Sequence, residues 1–431
     1  MARRCLPRRA ACSINLLVGI NFSGKGVVVD ILLIQPFASD KAMSEVASVQ
    51  EDGLVALRDA ARPEAGLAKP ARERIAYIEY FRAVAILLIV CGHSYAVSWT
   101  HFVDEDPQAR VTWLNVIPAL ITGGTAYFVF ISGYLYRQVF YGRTSYGAFM
   151  QKKALYVGLP YLILATPLAI AEMSLGHFSV TAVKDGVAYS ASYFVDFIVL
   201  FSTGRMVTAY WYIPFIFLVF LATPLFDRFI ELSRGRRAAV LALSVGVALW
   251  VVRPADNLNP VQCFFYFANF YLFGILFCEY RKPAMAVLTR PAVIAALGVL
   301  LLAIGLSQAL VLQDPGNLER FPGQGWGPVG FDVMLFQKYV GIALLCGVLA
   351  HTAGWLQRPL SFAADHSFGL FFTHGIVLAV LMRLPDRLSP HIGVPMADLA
   401  LYSAVVIAVS LGIVVLVKQA TGRYSRYIIG C

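Results

Sequence analysis

Residues 75–98 read IAYIEYFRAVAILLIVCGHSYAVS, and the fold turns on this stretch. Its apolar length is what a helix needs to cross about 30 Å of hydrocarbon. Yet it carries Glu79, Arg82 and His93. Arg82 and His93 are 11 residues apart. At about 100° per residue that is three turns plus about 20°, so both fall on one face, about 16 Å apart along the axis. Glu79 precedes Arg82 by about one turn on that face, where a carboxylate and a guanidinium can pair. The other faces are Ile, Leu, Val and Phe. Such a stripe must face protein or water rather than lipid, and ionisable groups at this depth mark a functional site.

Comparable blocks follow at 113–135, 154–173, 207–226, 238–252, 262–278, 291–312, 331–350, 367–382 and 399–417. With 59% hydrophobic and 14% charged residues, the chain is far from soluble composition. The expected fold class is all-α: a polytopic membrane helix bundle of about ten spans, over residues 75–417. Charge bias orients it, because short cytoplasmic loops carry excess Lys and Arg. With the N-terminus inside, segments 136–153, 227–237, 279–290, 351–366 and 418–431 hold 15 Lys/Arg against 4 acids. The opposite loops, 99–112, 174–206, 253–261, 313–330 and 383–398, hold 7 against 10. Both termini are then cytoplasmic, with 418–431 a short tail. Counting 187–202 as a span would reverse the basic 227–237 loop, so that stretch reads as a surface or re-entrant piece. The net charge of +10 thus reports orientation, not nucleic-acid binding.

Residues 1–74 differ from the rest, with 11 Lys/Arg, 8 Asp/Glu and no spanning run. They read as a polar, mobile cytoplasmic tail; an over-long translation start, with Met43 opening the native chain, is the alternative. The seven cysteines (5, 12, 91, 263, 278, 346, 431) form no CxxC pair and no Cys/His cluster, so neither a metal site nor a disulfide framework is expected. Further ionisable residues in or at the spans are Glu172, Asp332 and Lys338. They receive no role beyond possible cavity lining.

The string YFRAVAILLIVCGHS (80–94) resembles the first-span signature of acyltransferase family 3, membrane O-acyltransferases marked by Arg-x10-His. Four later pieces are similar to family segments in the same order: FVFISGYLY (128–136), KKALYVGLPYL (152–162), YWYIPFIFLVFLATPL (210–225) and HSFGLFFTHGIV (366–377). The resemblance covers about 75–417. Three positions depart from it: Glu79 stands where Asp is common, Lys152 and Lys153 where Arg is common, and Tyr210 where a His often occurs.

The resemblance implies transfer of an acyl group, acetyl above all, from cytosolic acyl-CoA to a hydroxyl of a carbohydrate, a lipid-linked glycan or another envelope-associated acceptor. The protein would work in a bacterial inner membrane, with no permanently bound cofactor. A base must then take a proton from a poor nucleophile, and histidine has the pKa range for it. His93 is the candidate base, Arg82 a ligand for the phosphates or pantetheine of acyl-CoA, and Glu79 the holder of Arg82. Arg143, Lys152 and Lys153 would attract the nucleotide end, although positive-inside topology alone would also put them there. His374, Ser367 and Trp211 are candidate cavity residues. Packing roles for His374 and Ser367 and an interfacial anchor role for Trp211 remain open beside this. Ser132 and Gly133 read as close-packing residues. Ser94 points about 100° from its neighbour His93 and does not suggest a Ser–His pair. A transporter or flippase for a polysaccharide precursor or small solute is the alternative of a different class.

Overall fold

The computed structural model describes segments 17–23 and 26–32 and, within 75–431, all residues except 106–115, 177, 179–180, 185–186, 191, 312–318, 321–326, 328–329 and 385–393. The chain divides into two units, Met1–Glu73 and Arg74–Cys431. In the first, β1 (Leu17–Ser23) and β2 (Gly26–Leu32) pair antiparallel, Leu17 opposite Leu32 and Ser23 opposite Gly26. The rest of the expected 1–74 tail lies outside the described residues.

Among its described residues, the regular structure of the second unit is helical apart from two small strand pairs. It opens with α1 (Ala76–Glu105), which extends beyond the expected end at 98. The second expected span is two pieces, α2 (Val116–Ile121) and α3 (Thr125–Leu135), the latter prolonged by a π-helical turn at Tyr136–Phe140. Then come α4 (Tyr146–Lys153), α5 (Leu159–Ser174), the hairpin β3 (Thr181–Lys184) and β4 (Val187–Ser190), and α6 (Tyr193–Thr203). Next are α7 (Tyr212–Leu221), α8 (Thr223–Glu231), α9 (Arg234–Val251), β5 (Arg253–Pro254) and α10 (Pro260–Glu279). The chain continues as α11 (Arg281–Leu288), α12 (Pro291–Leu306), β6 (Glu319–Arg320), which pairs parallel with β5, α13 (Val333–Ala350), α14 (Gln357–Leu381), α15 (Pro395–Thr421) and α16 (Ser425–Ile428).

Local chemistry sets several of these boundaries. The Asn259 side chain accepts from the Gln262 N–H at 3.1 Å and Asp332 from the Leu335 N–H at 3.0 Å, capping α10 and α13. Prolines 260, 291 and 395 open α10, α12 and α15, where their missing N–H is no loss.

Among the described residues, eight helical segments are long and apolar enough to cross a membrane, or nine if α7 and α8 are one span bent by 50°. The bend falls where Pro224 enters the chain, since proline breaks the backbone ladder. The short expected span 238–252 lies in α9, 18 residues that begin with Arg234, Arg236 and Arg237. Arg237 pairs with Glu279 and ties α9 to the end of α10. The surface piece expected at 187–202 contains β4 and most of α6, whose 11 residues reach only about 16 Å.

The first-span helix is enclosed: α1 packs against α2, α3, α13, α14 and α15. Phe81, Ala85, Ile86 and Val90 on it are fully buried. α3 crosses α10 at close range. A side chain on Gly133 would strike the Tyr271 carbonyl, and one on Gly274 the Phe130 carbonyl. In a bilayer, where hydrophobic drive between helices is weak, such close approach supplies much of the association. Phe130 beside it lies 5.4 to 5.8 Å from the rings of Phe81, Phe273 and Phe277. Gly274→Ala is expected to lower the thermal unfolding midpoint in detergent. The better helix propensity of alanine, worth about 1 kcal/mol, is outweighed by about 1–3 kcal/mol of overpacking. An unchanged or higher midpoint would mean that the crossing tolerates a methyl.

Candidate active site

α14 lies along α1 and brings two histidines 281 residues apart in sequence into contact. His93 Nδ1 and His374 Nε2 are 3.0 Å apart, with ring planes parallel within 4°. His374 is fully buried, and its Nδ1 lies 2.8 Å from the Leu370 carbonyl oxygen. That oxygen can only accept, so His374 carries its proton on Nδ1. With His374 neutral, its Nε2 is then an acceptor, and His93 must donate from Nδ1. The tautomer of His93 follows: Nε2 is the bare nitrogen, the atom a general base needs. The chain Leu370 carbonyl, His374, His93 thus fixes both ring orientation and proton placement.

His93 lines a cavity of about 490 Å³, together with Tyr95, Thr125, Arg205, Trp211 and Arg253. This size suits a small-molecule substrate. The walls come from the break between α2 and α3, from the 204–211 segment after α6, and from the 253–258 segment after α9. Gly204 makes one wall possible: its φ is +68°, which glycine adopts freely, and a side chain there would strike the backbone of Tyr210 and Trp211. Tyr210 then fastens this wall to α14, its hydroxyl donating to the Phe372 carbonyl at 3.0 Å, two residues from His374. A second compartment beside His93 shares Ile89, Thr125 and Trp211 with the large cavity, is lined further by Phe128, Tyr212 and Phe371, and has room for a single water-sized group.

The remaining candidates fall as follows. Trp211 is buried, stacks on Phe267 with centroids 6.2 Å apart, and lines both the cavity and the small compartment. Ser367 is buried and its hydroxyl donates to the Ala364 carbonyl of its own helix at 2.8 Å. Ser94 is fully buried and makes no hydrogen bond to His93. Glu79 and Arg82 are half-buried on the part of α1 that precedes His93 by about 16 Å, and neither lines the 490 Å³ cavity. Arg143 and Lys152 are exposed. Neither lines the cavity, and Arg143 follows the end of the helix that begins at Thr125 on the cavity wall and runs about 24 Å through Phe140. The ammonium of Lys153 sits 4.5 Å from the ring centroid of Phe220 and 5.1 and 5.2 Å from those of Phe140 and Phe149, a cation–π cage. Glu172 pairs with Arg383 at 3.0 Å.

The cavity contains residues that the sequence alone did not single out: Arg205, Arg253, Asp256, Thr208 and the Gly123-Gly124-Thr125 break. The paired glycines inside an apolar run were the only local signal for that break. Nothing in the loops marked Arg205 or Arg253 apart from other loop arginines.

A family model described as "Acyltransferase domain" matches residues 75–417. No curated protein and no solved structure matches the chain.

Proposed function

The chain belongs to acyltransferase family 3 and is a membrane acyltransferase, and from that premise we propose that it moves an acetyl group from acetyl-CoA to a hydroxyl of a carbohydrate or lipid-linked glycan acceptor. The observation that carries this reading is the His93–His374 pair at the wall of the large cavity. The bare Nε2 of His93 takes the acceptor's hydroxyl proton as its oxygen bonds to the thioester carbonyl carbon. The carbon–sulfur bond then breaks, and the proton held on His93 passes to the departing CoA sulfur. His93 Nδ1–H stays bonded to His374 throughout, which stabilises the transient imidazolium. Acetyl rather than a longer acyl group is supported by the compartment beside His93, which has room for about one methyl-sized group.

In this scheme the acceptor occupies the 490 Å³ cavity from the outer face of a bacterial cytoplasmic membrane, and both termini face the cytosol. The donor would reach His93 from the cytosolic side along α1. Arg82, about 16 Å away, lies within the reach of a pantetheine arm and would meet the donor's polar part, with Glu79 positioning it. Arg143 and Lys152 are exposed where a cytosolic anion would arrive.

The test is acetyl-CoA consumption by the purified protein in detergent, with saccharide acceptors of different class. The expected result is CoA release that rises on addition of acceptor, with an O-acetyl ester on the recovered acceptor by mass spectrometry. CoA release that no saccharide raises, together with transfer from a longer acyl-CoA to a different acceptor class, would overturn both the donor and the acceptor assignment.

A further inference from the structure

Lys338 is the buried group that acyl transfer by His93 leaves unused. It lies on α13, is 2% exposed, and its Nζ has no hydrogen-bond partner among the described residues. Nζ lies over the face of Tyr127, 5.5 Å from the ring centroid. Asp332 is within electrostatic reach, but both of its oxygens are engaged. One accepts from the Leu335 N–H at 3.0 Å and the other from the Tyr266 hydroxyl at 2.6 Å. Arg253 draws on the same carboxylate and on the exposed Asp256. Arg253 and Lys338 thus share the field of a carboxylate whose two oxygens are already engaged, and the Lys338 ammonium has no hydrogen-bond partner of its own among the described residues. An ammonium buried without such a partner is strongly unfavourable and marks a place where a ligand can supply one.

The place adjoins the large cavity. Lys338, Tyr266 and Met334 line a small cavity that shares Gly123, Thr125 and Arg253 with the cavity into which His93 opens. Gly123 keeps the shared wall thin. Its φ is +73°, and a side chain there would meet Cε of Lys338 at 2.7 Å and Sδ of Met334 at 2.9 Å.

We propose that Lys338 and Arg253 form an anion subsite of the acceptor cavity, which holds a carboxylate or phosphate group of the acceptor while its hydroxyl meets His93. This rests on the acyl-transfer reading for the role of the cavity, but not for the presence of the subsite. A planar guanidinium beside a compact ammonium is a donor set suited to an oxyacid. A neutral saccharide would fill the same cavity and leave Lys338 unmatched. The acceptor class is therefore an acidic sugar unit, a uronate or a sugar phosphate.

The experiment measures binding, so it stands whether or not turnover is seen. Purified full-length protein in detergent is titrated with glucuronate, glucose 1-phosphate, glucose and CoA, and tryptophan emission is followed. The wild type is expected to bind at least one of the two acidic probes more tightly than glucose, and which one identifies the oxyacid. Lys338→Met is expected to weaken the favoured acidic probe by about 10-fold to 100-fold, the range for a charged hydrogen bond, and to leave glucose and CoA unchanged. Its unfolding temperature should hold or rise, because a buried ammonium without a hydrogen-bond partner is gone. Equal binding of acidic and neutral probes by the wild type overturns the proposal. So does a Lys338→Met protein that binds the acidic probe as before, weakens glucose equally, or loses CoA instead. Lys338→Gln carries the same comparison should the methionine variant unfold.

Discussion

His93→Ala is expected to lower kcat for acyl transfer by about 10²-fold to 10⁴-fold, the contribution of a positioned general base. That corresponds to about 3 to 5 kcal/mol of transition-state stabilisation. Its unfolding temperature should stay close to that of the wild type. His93 is half-buried at the wall of a 490 Å³ cavity, so alanine opens space that solvent can enter. The one polar group left behind, His374 Nε2, faces that space and can accept from water instead. Ser94→Ala is the matched control on the same helix. Its hydroxyl is buried without a hydrogen-bond partner among the described residues, so losing it should not reduce the rate. The comparison uses initial rates of CoA release at saturating acceptor, with stability followed in parallel. A His93→Ala protein that is folded and fully active would remove His93 as the base. Equal losses in the two variants would point to damage of α1 instead of lost chemistry.

The first helix made part of this legible from sequence. A period of 3.6 residues places Glu79, Arg82 and His93 on one face by arithmetic, and apolar blocks of membrane length show that a helix bundle surrounds it, although ten blocks were expected and eight or nine candidate spans are found among the described residues. What pairs with His93 was not legible. His374 was a candidate because segment 366–377 resembles a family span and because it shares a face with Ser367 seven residues earlier, but the 3.0 Å contact depends on how α14 lies on α1. No pattern within either segment encodes that crossing. The same holds for Lys338 and Asp332: both stood out as costly ionisable residues, while their surroundings come from Tyr266 on α10 and from Arg253 after α9. Breaks inside the spans were hidden for a different reason. A hydropathy count sums over 113–135 and over 207–226, whereas Gly123-Gly124 and Pro224 interrupt the helix without making the stretch less apolar. Arg82 shows the converse. Sharing a face with His93 along about 16 Å of helix does not place both in one cavity.

His374 should prove a positioning residue, one that acts only through His93. His374→Ala leaves the His93 Nδ1–H without its fixed acceptor, so the ring can rotate and either nitrogen can carry the proton. The expected loss in kcat is about 10-fold to 100-fold, the range found when partners that orient metal-bound imidazoles are removed. KM should change little, because His374 is fully buried and the large cavity is lined without it. A purely structural histidine would give a similar single-variant loss, so two further measurements separate the cases. The double variant His93→Ala/His374→Ala should be no slower than His93→Ala alone, since residues acting as a unit are not additive. His374→Gln should recover much of the rate. The glutamine side chain reaches about as far as imidazole Nε2, and its carbonyl oxygen can accept from His93 Nδ1–H. Additive losses in the double variant, or a glutamine variant as slow as alanine, would break the link between the two histidines. His374 would then be a packing residue, and the tautomer of His93 would have to be set by something else in the cavity.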